Sequence, residues 1–191
     1  MNKPLTLGSL FDGSGTFPVA GMLSGILPVW KSEIEPFPIA VTEKRLPFVK
    51  HLGDINKING AEIEPVDIIT FGSPCTDLSC AGKRLGLNAA RSGLFFQAVR
   101  IIKEMRCATN GKYPKFAVWE NVAGAFSSNG GEDFRCVLEE LCKIKTTDIS
   151  VPKPEKWTKA GEILADGFSL AYRTVDAHAP TQSKNLPYRR F

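Results

Sequence analysis

A thiol fixed by a proline just beyond a short apolar run is the first feature of this chain that could do chemistry. Val66 to Phe71 reads as a buried strand of a parallel sheet, Gly72-Ser73-Pro74 stops it, and Cys75 follows at once. Ligands and reactive groups gather at the carboxyl ends of strands in open α/β sheets. A cysteine there is either a small core residue or a nucleophile whose backbone the proline holds. Residues 76–92 carry Gly82, Gly86, Lys83, Arg84 and Arg91 with few large apolar side chains. That is the composition of a glycine-hinged lid closing over a polyanion. A second group is Glu120, directly after the apolar run Phe116 to Trp119. A carboxyl at that position is expected to be partly desolvated and suited to acid chemistry; the alternative is a helix or turn cap.

The elements that must position these groups can be read outward from them. Leu5 to Phe11 is a strand that runs into Asp12-Gly13-Ser14-Gly15-Thr16 and then a helix with Val19, Met22, Leu23 and Ile26 on one face. Thr16 is placed to cap that helix and Pro18 suits its first turn. Strand, glycine turn and helix together open a nucleotide-binding sheet, although Gly-x-Gly also marks ordinary tight turns, and the third glycine of the dinucleotide fingerprint is missing. Val29 to Ile34 is a second strand ending in Glu33, which can accept hydrogen bonds from ribose hydroxyls or stand solvated. Pro36 and Pro38 open a helix to about Arg45, and Phe48 to Leu52 is a third, short strand before Gly53-Asp54-Ile55. Asp54 can cap a turn or take a hydrogen bond from a base. Leu94, Ala98, Ile101, Ile102 and Met105 mark a helix covering the sheet; Phe134, Val137, Leu138 and Leu141 mark another. Residues 145–161 look irregular, and Phe168 to Val175 alternates as a half-buried strand.

Ser73-Pro74-Cys75, the loop with Ser79, Gly82 and Lys83, and Arg91-Ser92-Gly93-Leu94-Phe95-Phe96 resemble the catalytic block of the DNA cytosine-5 methyltransferases. Phe11 to Thr16 resembles the family's S-adenosylmethionine loop, and Glu120-Asn121-Val122 its second catalytic motif. Thr76 stands where the family usually has Gln. The resemblance implies an α/β fold: a Rossmann-like class I methyltransferase sheet with helices on both faces. It makes Cys75 the nucleophile that attacks C6 of cytosine, and Glu120 the group that holds N3 and the exocyclic amine. It places the cofactor against Phe11, Asp12, Gly13, Gly15, Thr16, Glu33, Ile34, Asp54, Ile55, Pro74 and Leu94. Double-stranded DNA with a flipped cytosine is the implied partner, contacted by a loop bearing Ser79, Lys83, Arg84 and Arg91. The implied setting is a restriction–modification or phage-borne system.

Composition agrees with one ordinary globular domain: 191 residues, 43% hydrophobic, 23% charged, net charge +4. That charge permits a nucleic-acid partner without demanding one. Five cysteines, an odd number without a C-x-x-C pair, fit reduced cytoplasmic thiols better than a disulfide framework. Their spacings do not suggest a metal site, and no run suggests a signal peptide or membrane span.

The resemblance covers residues 5–177 and fails afterwards, where the family continues into an Arg-rich strand and a recognition domain. With the reading frame moved by one nucleotide, synonymous codons for Ala179 to Phe191 allow Pro-Gln-Arg-Ser-Arg-Arg-Ile-Tyr-Leu-Ile-Ala-Asp-Phe. The expectation is an incomplete catalytic domain over 1–177 and a frameshifted tail over 178–191. Two other functions compete with an active enzyme: an inactive remnant that at most binds S-adenosylmethionine, and one half of a split methyltransferase completed by a complementary C-terminal chain.

Overall fold

The computed structural model describes residues 3–74 and 93–176, and the chain divides into two compact units, Met1–Trp157 and Thr158–Phe191. The first unit is built on five parallel strands: β1 (Thr6–Leu10), β2 (Leu27–Ser32), β3 (Lys50–His51), β4 (Ile68–Phe71) and β5 (Phe116–Trp119). Their order is β3-β2-β1-β4-β5, with β1 at the centre and the direction of winding reversing beside it, as in doubly wound sheets. The helices are α1 (Thr16–Leu23), α2 (Pro36–Arg45), α3 (Leu94–Ala108) and α4 (Glu132–Cys142). An α/β sheet of this type is therefore what the chain forms.

Alternation along β1 sorts the two faces. Gly8 and Leu10 point to the face covered by α3, which buries Phe95, Ala98, Val99, Ile101, Ile102 and Met105. That spacing is the 3.6-residue period expected of a covering helix. Phe95 is 1% exposed and sits 6.2 Å from the Phe71 ring and 6.0 Å from Trp119. Full burial of such a ring contributes about 2–3 kcal/mol. On the opposite face Leu7 packs under α1, where a Cβ on Gly21 would lie 3.0 Å from it.

The α1 face read from sequence is not the buried one. Val19, Met22 and Leu23 are exposed, and Pro18 and Gly21 are buried instead. The helix is apolar on every side, so periodicity could not choose a face, and the small residues are the ones that let it approach β1. Thr16 does not cap it either: Gly15, in left-handed backbone at φ 88°, is the cap residue and no side chain caps the helix.

Gly8 has a role that no glycine pattern announces. A Cβ there would fall 2.1 Å from the Trp30 ring, so the indole occupies the space that any other residue at position 8 would fill. Trp30 is 1% exposed and its Nε1–H donates to the Glu64 carbonyl at 2.9 Å. Asp67 ties the amino ends together: its carboxylate accepts from the Thr6 N–H at 2.9 Å and pairs with Lys115 at 2.7 Å. The Lys115 hydrogen bond, with those of Thr6, holds the Asp67 carboxyl below the usual range.

The second unit, among its described residues, is an antiparallel hairpin of β6 (Ala160–Ala165) and β7 (Phe168–Arg173). Strand β6 falls partly in the stretch read as irregular. The signal for it was Asp166-Gly167, a hairpin dipeptide with Gly167 at φ 75°. Among the described residues Cys107 and Cys142 are free thiols. No helix among the described residues is long and apolar enough to cross a membrane.

Candidate functional site

Strand register assembles the site. Leu10 is level with Ser32 on one side and with Phe71 on the other, and Phe71 is level with Trp119. The residues that leave these strands therefore emerge side by side at the carboxyl edge: Phe11-Asp12-Gly13 after β1, Glu33 after β2, Gly72-Ser73-Pro74 after β4 and Glu120 after β5. His51 is level with Lys31, which brings Gly53-Asp54 to the same edge.

The glycine loop is held open by backbone that side chains rarely adopt. Gly13 and Gly15 have φ of 55° and 88°, and Phe11, which is not a glycine, has φ 54°. Left-handed backbone at a non-glycine costs on the order of 1 kcal/mol and concentrates at functional sites. A Cβ on Gly13 would meet nothing within 4 Å, so the space above that peptide is open. Glu33 supports the loop: its carboxylate accepts the Gly13 N–H at 2.7 Å and, through the other oxygen, the Ile34 N–H at 2.7 Å. His51 donates from Nε2 to the Glu33 carbonyl at 3.0 Å, which fixes the turn from the far side. Thr16 and Ile34 are exposed.

Asp54 makes the capping interaction, accepting the Asn56 N–H at 2.9 Å at the start of a 3-10 turn, Ile55–Lys57. Ile55 is 3% exposed and its side chain belongs to the core, so only its backbone faces the edge. Arg100 of α3 reaches across to this turn, donating to the carbonyls of Ile55 at 3.1 Å and Ile58 at 2.8 Å. Its partner Glu104 accepts the Gly60 N–H at 2.7 Å. Leu94, at the amino end of the same helix, is half-buried.

Ser73 is clamped between the two strand ends that carry the candidate catalytic groups. The Trp119 Nε1–H donates to its hydroxyl at 3.2 Å and the Asn121 side-chain amide to its carbonyl at 3.0 Å. The Glu120 N–H donates to the Phe71 carbonyl at 3.0 Å, and a Cβ on Gly72 would lie 3.2 Å from the Glu120 carboxylate. Glycine at 72 thus leaves room for that carboxylate beside the chain leading to Cys75. Glu120 is exposed, contrary to the desolvation expected of it. The strand before it lies at the end of the strand order, with Phe116 57% and Val118 45% exposed, so an apolar run there did not mean burial. Pro74 is exposed. Cys75, Ser79, Lys83, Arg84 and Arg91 lie outside the described residues, as does the tail from 177 onward.

Sequence reasoning missed a cluster behind the glycine loop. Ser9 Oγ, both Asp12 carboxylate oxygens and Lys31 Nζ are buried with no hydrogen-bond partner, and these are the buried side-chain atoms in that condition among the described residues. Ser9 and Lys31 are level on β1 and β2 and point to the same face. Burial raises the Asp12 carboxyl from 3.8 to about 6, against the pull of the Ser9 hydroxyl and of Lys31. Burial also lowers the Lys31 ammonium. Lys31 sat in a strand reading as apolar, where a lone lysine gave no signal beyond its presence.

Comparison with known proteins gives the lineage. The family model described as C-5 cytosine-specific DNA methylase matches residues 5–145. The type II methyltransferase M.NgoBI of Neisseria gonorrhoeae is 35% identical over 84% of this chain and 49% of its own length. A protein of Escherichia phage P1 named DNA N-6-adenine-methyltransferase is 32% identical over 92% of this chain and 26% of its own length. A crystal structure described as a prophage-encoded DNA modification methyltransferase (E. coli) superposes with a TM-score of 0.54 over 72% of this chain and 38% of that one, at 18% identity, which speaks to fold alone. The chain spans about a quarter to a half of the length of these relatives. With more than half of its residues matched by the family model, in a sheet of the expected strand order, the chain belongs to the C-5 cytosine-specific DNA methylase family.

Proposed function

We propose that this chain carries the catalytic and cofactor-binding portion of a DNA cytosine-5 methyltransferase of restriction–modification or phage type. The observation that carries the reading is the register that sets the glycine loop, Glu33, the Ser73-Pro74 approach to Cys75 and Glu120 along one edge of the sheet. The donor set fits S-adenosylmethionine: an open, left-handed glycine loop, a carboxylate after β2, and an exposed apolar side chain at Ile34. Phe11 to Thr16 would hold the amino-acid end, Glu33 the ribose hydroxyls, and Ile34 and the Asp54-Ile55 backbone the base, with Pro74 and Leu94 at the border. When bound, the cofactor supplies the methyl group.

The chain's own residues supply the rest. Carbon 5 of cytosine is a weak nucleophile. Addition of the Cys75 thiolate to C6 makes C5 enamine-like, and loss of the C5 proton with expulsion of the thiolate restores the ring after transfer. Glu120 steadies N3 and the exocyclic amine as charge develops. Its exposure leaves that carboxyl free to meet a base. The loop residues Ser79, Lys83, Arg84 and Arg91 would take backbone phosphates, and the target base must leave the duplex to reach the thiol. The relatives extend well beyond the matched region, so the recognition wall of the DNA cleft is assigned to sequence outside this match, in the same polypeptide or a companion chain.

The test is a 5-fluorocytosine duplex incubated with the chain and S-adenosylmethionine, with and without a supplied C-terminal portion of a relative. A covalent adduct is expected with Cys75 and none with Cys75→Ser. The phage P1 relative's name favours a second reading, transfer to the N6 amine of adenine, which needs no thiol. Methyl label on adenine that survives Cys75→Ser would establish that reading and remove the first.

A further inference from the structure

Three polar side chains behind the glycine loop make no hydrogen bond of ordinary length although each is more than nine-tenths buried, Ser9 at 0%, Asp12 at 4% and Lys31 at 1% exposure, and the Ser9 hydroxyl lies near enough to steady the Asp12 carboxylate. Such orphans are costly and sparse in folded proteins, and each calls for a physical reason. Their placement supplies one. Asp12 lies in the loop itself, anchored by its N–H to the Ser32 carbonyl at 3.0 Å. Lys31 lies deeper, in the strand, level with Ser9 on one side and His51 on the other. The two charges are therefore a buried dipole whose negative end belongs to the loop and whose positive end belongs to the sheet.

Resting on the cofactor reading above, we propose that Asp12, compensated by Lys31, makes the loop selective for a cationic sulfonium cofactor over its neutral thioether product. S-Adenosylmethionine and S-adenosylhomocysteine share adenine, ribose, ammonium and carboxylate. They differ by one methyl group and one positive charge on sulfur. Contacts to the shared groups cannot separate them, whereas a buried anion in the loop can, because its field is little screened by water. Release of spent product and uptake of fresh cofactor would both be favoured.

The charged neighbours set how this depends on proton concentration. Asp12 is faced by Lys31 and Glu33 from β2 and the turn after it, and by His51 from β3; Lys31 is faced in turn by Glu43 of α2. The neighbouring Ser9 hydroxyl, Lys31 and His51 favour the anion, in that order, while burial and Glu33 oppose it, and burial prevails. The anion is thus lost on mild acidification. Cofactor preference should then fall as pH drops through the Asp12 transition near 6. The sign is fixed: a cation binds more tightly to the deprotonated loop, so its affinity relative to the neutral ligand rises with pH.

The experiment is calorimetric titration of the full chain with each of the two ligands between pH 5 and 8. The ratio of their dissociation constants is expected to change roughly tenfold in favour of S-adenosylmethionine across that range, the size of a typical coupling between two sites. Lys31→Met should move the midpoint to higher pH, because the anion loses its compensation. The double variant Asp12→Asn/Lys31→Met removes both charges and leaves none unpaired, so it keeps the experiment readable if a single variant fails to fold. It should bind both ligands with a ratio independent of pH. A flat ratio in the native chain, or a slope that persists in the double variant, overturns the proposal and leaves the cofactor site standing. A native chain that binds neither ligand overturns the cofactor site as well.

Discussion

Replacing Arg100 with methionine would show how firmly the turn at Ile55–Lys57 is braced. The guanidinium donates to Ile58 O at 2.8 Å and Ile55 O at 3.1 Å, and pairs with Glu104 at 2.8 Å. A hydrogen bond to a charged group is worth about 1.5–3 kcal/mol. Arg100's side chain is 32% exposed, so water can reach the vacated carbonyls, and halving each value is appropriate. Two carbonyls then contribute about 1.5–3 kcal/mol together. The i,i+4 pair with Glu104 adds only about 0.3–0.5 kcal/mol, and methionine keeps most of the apolar stem. The variant should lose about 2–3.5 kcal/mol, or about 4–14 °C in Tm for a chain of this size. Thermal and urea denaturation measure the stability, and calorimetric titration measures whether S-adenosylmethionine binding weakens in step, since Asp54 sits at the head of the same turn. Arg100→Lys, with one donor centre in place of the fork, should fall between the two. A loss below about 1 kcal/mol with cofactor affinity unchanged would refute the idea that Arg100 holds this side of the site.

Other outcomes follow from the same structure. Asp67→Asn should cost about 1–2 kcal/mol at pH 7, because the carboxyl held low by Lys115 and Thr6 contributes stability above its unfolded pKa. That contribution fades as pH falls through the folded value, so urea midpoints of native and variant should converge in acid; a gap independent of pH would remove the assignment. Asp12 has the opposite sign. Its carboxyl is raised from 3.8 to about 6, so its contribution is complete below the unfolded value and is lost as pH rises through about 6, by up to about 3 kcal/mol. Asp12→Asn/Lys31→Met should lack that slope in a stability-against-pH series. Gly8→Ala puts a carbon 2.1 Å from the Trp30 ring and should cost at least about 2 kcal/mol; a variant with native Tm would show that the indole can swing away at no cost.

What could be read from the sequence was whatever local pattern alone determines. Phe116 to Trp119 is a strand with the bounds expected of it, and Ala98, Ile101, Ile102 and Met105 of α3 are buried as their spacing implied, with Leu94 only half-buried at the helix start. Glycines 13 and 15 marked the loop because left-handed backbone restricts the choice of residue. Other features depended on partners distant in sequence. The Ser73 clamp joins residues 46 and 48 positions apart, and the Arg100 brace joins residues 42 and 45 apart; no local pattern encodes either. The face of α1 was misread because an all-apolar helix has no preferred side and the small residues at 18 and 21 decided it. Glu120 was expected to be desolvated because an apolar run was equated with burial, which does not hold for a strand that pairs on one side alone among the described residues.

The indole that fills the place of a side chain at Gly8 has a consequence for how this sequence can drift over generations. Neither position is free by itself: a larger residue at 8 collides with Trp30, and a smaller residue at 30 leaves a void in the core that glycine cannot fill. The two should therefore change as a couple, and an aligned set of family members should show glycine at 8 whenever a large ring stands at 30. The same interlock sits where the pairing of β1 with β2 slips by a residue, between Leu7 and Gly8. Compensating exchanges at these two sites would carry the alignment of Glu33 with Gly13 along with them. Ancestors of this chain could have altered the ligand-facing edge piecemeal, but this buried couple only in paired steps.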